Sequence, residues 1–169
     1  MTILLIIVGA VVAVFLLSAL TGAPYVPSFR NELRIAFTKL YELNEKDFVV
    51  DLGSGDGVVL STAAEFGAGG LGLEINPVLV LISRLRLRKY KNVKIHNKNL
   101  FSAKFPPETT VVYVFGERRD IERMVRHIKS EATRLHKTLF LISYGFEVPG
   151  MKATKKERAY MLYEISPNR

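Results

Sequence analysis

The 169-residue sequence predicts a doubly wound α/β domain. Its sheet is mostly parallel with an antiparallel C-terminal strand, and one transmembrane helix precedes it. Three observations carry this reading. Short aliphatic runs alternate with segments of helical spacing, the pattern of βαβ units. No helical segment separates the last two strand-like runs, and so direct a return suits an antiparallel partner. Finally, Thr2 to Leu20 carries no charge.

That uncharged run would be about 28 Å long as a helix, close to the thickness of a bilayer core. A secretory signal would want a basic n-region and a shorter apolar stretch. Here Lys and Arg are absent before the run, although Ser18, Ala19 and Gly22 would suit a peptidase. A retained anchor over residues 1–21 is the expectation. Arg30, Arg34 and Lys39 follow it, so the positive-inside rule places the remainder on the cytoplasmic side of a single-pass membrane protein.

Residues 22–28 (GAPYVPS) form a connector, kept extended by Pro24 and Pro27. The domain proper spans 29–169. Ser28 can cap a helix to about Leu43, with Leu33, Ile35, Ala36, Leu40 and Leu43 at near-helical spacing. Phe48–Val50 reads as a buried strand ended by glycines. Val58–Phe66 reads as a helix stopped by Gly67, Gly69 and Gly70. Leu71–Leu73 is a second strand. Asn76 before Pro77 starts a helix to about Tyr90. Strands follow at Val93–His96, Thr110–Phe115 and Thr138–Ser143, a helix at Asp120–His136, and a last strand at Ala159–Ile165.

There is no cysteine, which excludes disulfides and thiolate metal sites. His96, His127 and His136 lack metal-ligand spacing, so no metal is expected. The net charge of +8 favours anionic partners, nucleic acid or an anionic membrane face. Arg84, Arg86, Arg88, Lys89 and Lys91 form a basic run that is either a solvated face or a contact for lipid headgroups. One tyrosine, Tyr90, stands in it and no aromatic-interleaved patch forms, so nucleic acid is not expected as a partner.

The chemistry is concentrated in Asp51-Leu52-Gly53-Ser54-Gly55-Asp56-Gly57, between a strand and a helix. Glycines permit a tight turn and close approach of a ligand to the backbone. A dinucleotide fingerprint would read Gly-x-Gly-x-x-Gly. This loop reads Gly-x-Gly-x-Gly and holds two carboxylates, Asp51 and Asp56, which suit a ligand with a cationic amine and sulfonium better than a pyrophosphate.

The stretch resembles motif I of the class I, seven-β-strand S-adenosylmethionine-dependent methyltransferases, whose fold is Rossmann-like. Glu74, at the end of the second strand, matches the acid that grips the ribose hydroxyls, with Ile75 and Asn76 beside it. Asn99-Leu100-Phe101 matches the family's Asp-Leu-Phe, whose acid holds the adenine amino group; here Asn99 replaces it, and its carbonyl can still accept. A narrower resemblance spans the anchor, Ala23–Ser28, the glycine loop, Glu74–Val80 and Ser83-Arg84, to about Phe115. It is to the membrane-anchored protein-lysine methyltransferases that include the mitochondrial enzymes acting on the ATP synthase c-subunit and the adenine nucleotide translocase. Val58 departs from that pattern, where Arg is common.

The resemblance implies S-adenosyl-L-methionine as cofactor, held by Asp51–Gly57, Glu74–Asn76, Asn99, Leu100 and Phe115, with Tyr25 and Val26 as part of a lid. Tyr25 could equally fasten the anchor to the domain. The implied activity is methylation of a lysine on a membrane or membrane-associated protein. A lysine must be neutral to attack, and its ordinary pKa is about 10.4. An apolar channel of aromatic rings would favour the neutral amine, and Tyr25, Phe115, Tyr144 and Phe146 could line it. Among these, Tyr144 and Phe146 follow a strand and could instead belong to the core. No side chain stands out as a general base. The competing readings are a small-molecule or lipid methyltransferase and a catalytically degenerate membrane scaffold.

Overall fold

Phe48-Val49-Val50-Asp51-Leu52 forms β1, buried on both faces and flanked by two parallel neighbours, as a continuous apolar run requires. The computed structural model describes residues 29–115 and 120–168, together with Thr2, Leu5 and Gly9. Among them the chain forms a seven-stranded sheet in the order β3-β2-β1-β4-β5-β7-β6. The strands are β1, β2 (Gly69–Glu74), β3 (Val93–Asn97), β4 (Val111–Val114), β5 (Leu139–Tyr144), β6 (Lys155–Glu157) and β7 (Tyr160–Ile165). β1 to β5 run parallel, and β7 is antiparallel to β5, in accord with the direct return read from the sequence. β6 was not expected. Its residues Lys155, Lys156 and Glu157 lack an apolar face, and it forms as an edge strand by pairing with β7.

One face of the sheet is covered by α1 (Arg30–Ile35), α2 (Val58–Glu65) and α3 (Pro77–Leu87). The other carries α4 (Ile121–Leu135) and the segment around Ala103 and Phe105. α4 buries Ile121, Met124, Val125, Ile128 and Ala132 at helical spacing. A short 3₁₀ turn, Leu100–Ser102, stands between β3 and β4. Its downstream segment is fastened to α4: Phe105 N donates to Glu131 Oε2 at 2.6 Å, and Arg134 Nη2 donates to the Phe105 carbonyl at 2.6 Å.

The first helix differs from expectation. It is capped by Phe29 without a side-chain hydrogen bond, and after Ile35 it widens into a π-helical turn, Ala36–Leu40. The wider turn lets Ala36, Phe37 and Leu40 all face the core. Arg30 and Arg34 both reach Glu65 of α2, at 2.9 and 2.7 Å, and Glu32 pairs with Arg158 of the β6–β7 turn.

The expected anchor (1–21) and connector (22–28) lie outside the described residues, apart from Thr2, Leu5 and Gly9. Those three are helical and exposed. Among the described residues, no helix is long and apolar enough to cross a membrane.

Candidate active site

In a doubly wound sheet, ligands bind beyond the carboxyl ends of the strands where the strand order reverses. Here that point lies between β1 and β4. The Asp51–Gly57 loop leaves β1 there, and the register sets Asp51 beside Tyr113 and Leu52 beside Val114. Phe115 therefore emerges next to Gly53.

Gly53, Gly55 and Gly57 all have positive φ. Each position serves a different contact. A Cβ on Gly53 would meet nothing within 4 Å, so that part of the turn stands open to a ligand. A Cβ on Gly57 would lie 2.9 Å from Ser83 Cβ, so this glycine lets α2 start against α3. Gly72, in β2, matters as much: a Cβ there would lie 2.6 Å from Ser54 Oγ and 2.4 Å from Ile95 Cδ1. The loop is seated by two amides, Gly53 N and Ser54 N, which both donate to the Leu73 carbonyl.

Asp51 is 2% exposed. Among the described residues its Oδ2 and the Ser54 Oγ have no hydrogen-bond partner. Burial holds the Asp51 carboxyl well above the ordinary carboxylate range, and the nearby Glu74 and Asp56 carboxylates add to that. A buried carboxyl with a free oxygen beside an open glycine turn fits a ligand that brings a cation. Asp56 was expected to share that role; in this structure its carboxylate is held by the protein itself. Its Oδ2 pairs with Arg86 Nη1 of α3 at 2.6 Å, and its Oδ1 accepts from Val58 N at the start of α2.

Glu74 closes the loop from β2. Its Oε2 accepts from Gly55 N at 2.9 Å and its Oε1 from Asn76 N at 2.8 Å. A carboxylate has about four acceptor sites, so it can still take hydroxyl groups. Asn76 caps α3 by accepting from Val78 N and Leu79 N, so its side chain is committed to structure. Ile75 is 57% exposed beside Glu74, an apolar platform at the mouth of the site. Asn99 spends one acceptor position on Phe101 N, and Leu100 is half-buried against the core on the α4 side of the sheet. The sequence reading missed Asn97, whose Nδ2 donates to both the Glu74 and Ile75 carbonyls at 2.9 Å and fixes the end of β2.

Beyond β4 and β5 the site turns aromatic. Phe115 packs on Tyr144 with ring centres 5.2 Å apart and on Phe146 at 6.5 Å. Tyr144 in turn meets Tyr160 of β7 at 4.7 Å. Tyr160, also missed, is buried, and its ring centre lies 6.5 Å from that of Tyr113. Burial, then the neighbouring Tyr144, pushes the Tyr160 phenol up, so it stays protonated. Phe146 is held in place by Ser143 Oγ donating to its carbonyl. Tyr25 and Val26 lie outside the described residues. His127 is a packing residue, bonded to the Ala103 carbonyl and edge-on to Phe105.

A family model for the ANTKMT methyltransferase domain matches residues 51–155, more than half of the chain and the whole span from Asp51 to β6. The chain belongs to this family. It is a methyltransferase domain that uses S-adenosylmethionine. Among curated relatives, an ATP synthase c-subunit lysine N-methyltransferase of Caenorhabditis elegans is 28% identical over 142 residues, 79% of this chain and 72% of that protein. The Xenopus laevis protein of the same name is 29% identical over 64% of this chain and 48% of its own length. Ribosomal RNA small subunit methyltransferase A of Thermotoga maritima is 35% identical over 49% of this chain and 30% of its own. The chain thus spans about half the length, or less, of two of these three relatives. An RNA methyltransferase of Salinibacter ruber, solved with S-adenosyl-L-homocysteine, superposes with a TM-score of 0.73 at 24% identity over 85% of this chain and 96% of that one, which shows the shared fold. Asp51, the glycine turn and Glu74 all fall within the span that the family model matches.

Proposed function

We propose that this domain methylates a lysine side chain of a membrane protein. The observation that carries the proposal is Phe115, which leaves β4 beside the glycine turn at the switch point, with Tyr144 and Phe146 from the end of β5 packed on its ring. The names of the nematode and frog relatives support lysine as the acceptor. Residues 1–21 act as an anchor, residues 22–28 as connector and lid, and the domain works on the cytoplasmic side. The anchor raises the local concentration of a membrane-bound substrate.

When bound, S-adenosylmethionine supplies an electrophilic methyl group on a sulfonium. Asp51 would hold its amino group and Glu74 its ribose hydroxyls, with Ile75 and Leu100 available to the base. The rings of Phe115, Tyr144 and Phe146 orient the lysine and exclude water. A low-dielectric channel disfavours the charged ammonium, so the amine enters in the form that attacks. Positioning of this kind supplies most of the rate. A nucleobase acceptor is a second reading, favoured by the ribosomal RNA methyltransferase relative.

The test is transfer of tritiated methyl groups by the full chain in detergent to membrane-protein and RNA fractions, with Gly55→Arg as control. Label recovered as methyl-lysine, and lost in the control, is the expected result. Label confined to RNA, lipid or small molecules would overturn the proposal.

A further inference from the structure

α3 has two apolar faces. One, with Leu79, Val80 and Leu87, is buried against the domain. The other carries Leu81, Ile82 and Leu85, which are 59%, 38% and 60% exposed. With half-buried Val78 they form a stripe along the outside of the helix, and exposed Ile75 extends it to the mouth of the cofactor site. A contiguous aliphatic stripe on a surface marks an interaction site.

The borders of the stripe carry one sign of charge. Arg84 and Arg88 stand one turn apart along its β3 side, and Lys89 and Lys91 follow at its end. Arg84 and Arg88 also line an open groove of about 390 Å³ with Tyr90, Lys94 and His96, and no carboxylate is among its lining residues. The groove is positive enough that, after burial, Lys98, Lys94 and Arg84 all push the His96 imidazole toward its neutral form. Arg86, on the opposite border, is already paired with Asp56.

We propose that this outer face of α3 docks on the surface of an anionic lipid bilayer, with Leu81, Ile82 and Leu85 entering the acyl boundary and Arg84, Arg88 and Lys94 holding lipid phosphates. The charge pattern selects this occupant. An aliphatic centre with basic flanks is the layout of an interfacial helix, and each basic residue near an anionic surface contributes about 1 kcal/mol. An RNA would use the cations and leave the central aliphatic row in water. The proposal rests on the membrane-bound acceptor proposed above and adds an orientation to it. α3 begins at the rim of the site, so docking holds the cofactor loop within one short helix of the bilayer.

The chain lacks cysteine, so Leu85→Cys gives the full chain a single point for a nitroxide label. Lys129→Cys, exposed on α4 across the sheet, serves as reference. Both are reconstituted into phosphatidylcholine vesicles with or without about one-third phosphatidylglycerol. The expected result is a label at position 85 that sits about 5–10 Å into the headgroup and acyl boundary of the anionic vesicles. It stays aqueous in the neutral ones and returns to water when Arg84→Glu and Arg88→Glu are added, while the label at position 129 stays aqueous throughout. A label at 85 that is aqueous in both lipids overturns the proposal. So does one shielded equally in detergent and in both lipids, which would mean that a second copy or the apolar N-terminal segment covers α3. Shielding by single-stranded RNA in place of lipid also overturns it. Calorimetric binding of S-adenosylhomocysteine to the same samples reports on the cofactor site, so a failure to dock with binding intact sinks this proposal alone.

Discussion

The two halves of the sheet are built by different means at the ends of their strands. On the β1–β2 side the work is done by backbone: glycines with positive φ, amides that bind Glu74, and a carbonyl of Leu73 that receives two loop amides. On the β4–β5–β7 side it is done by rings that pack on one another, from Phe115 through Tyr144 to Tyr160. The first arrangement tolerates few residue types, because a side chain would occupy the turn or strain it. The second can be built from many aromatic and aliphatic choices. On the function proposed above, the first half would hold a common cofactor and the second would leave the acceptor free to vary.

That division predicts distinct kinetic signatures. Phe115→Ala should lower kcat by about 10²-fold through a misplaced acceptor, with a much smaller effect on cofactor Kd. If steady-state kinetics and calorimetry show cofactor binding falling as steeply as turnover, the two halves are not separate. Asp51→Asn should do the reverse, weakening cofactor binding by about 10- to 100-fold through loss of a charge-assisted bond of about 1.5–3 kcal/mol.

Gly72→Ala tests the backbone half by packing. The new methyl meets Ser54 and Ile95, and overpacking of this kind costs about 1–3 kcal/mol, read as a lower urea midpoint together with weaker cofactor binding. pH offers a further check. Folding raises the Asp51 pKa, so its stabilising contribution is fully present below about pH 4 and is lost as pH rises through the folded value. Urea titrations of the cofactor-free protein should show stability falling with pH over that range, and Asp51→Asn should remove that component. The smallest effect is expected from Arg86→Ala. Its partly exposed pair with Asp56 is worth about 1 kcal/mol or less, visible as a few-fold weaker affinity that high salt mimics in the wild type.

How much was legible follows from the same division. Asp51, the three loop glycines and Glu74 were readable because the turn they build restricts residue type and spacing. The parallel sheet and the antiparallel return of β7 were readable from the order of apolar runs. Arg86 capturing Asp56 was not, because a basic residue in a basic run carries no mark of its partner. Asn97 looked like any polar residue ending a strand, although its amide fastens two carbonyls of β2. Tyr160 and β6 depend on the β7 pairing, which local pattern does not encode. The π turn was hidden for a similar reason: the core contacts of Phe37 and Leu40 override the regular helix that their spacing suggests.

α1 touches both halves. Arg30 and Arg34 bind Glu65 at the end of α2, the helix that begins at the glycine turn, while Glu32 binds Arg158 between β6 and β7. The helix is thus a yoke across the top of the molecule, placed where the polypeptide enters the domain. The domain therefore begins with a helix tied both to the glycine-turn half and to the β6–β7 turn.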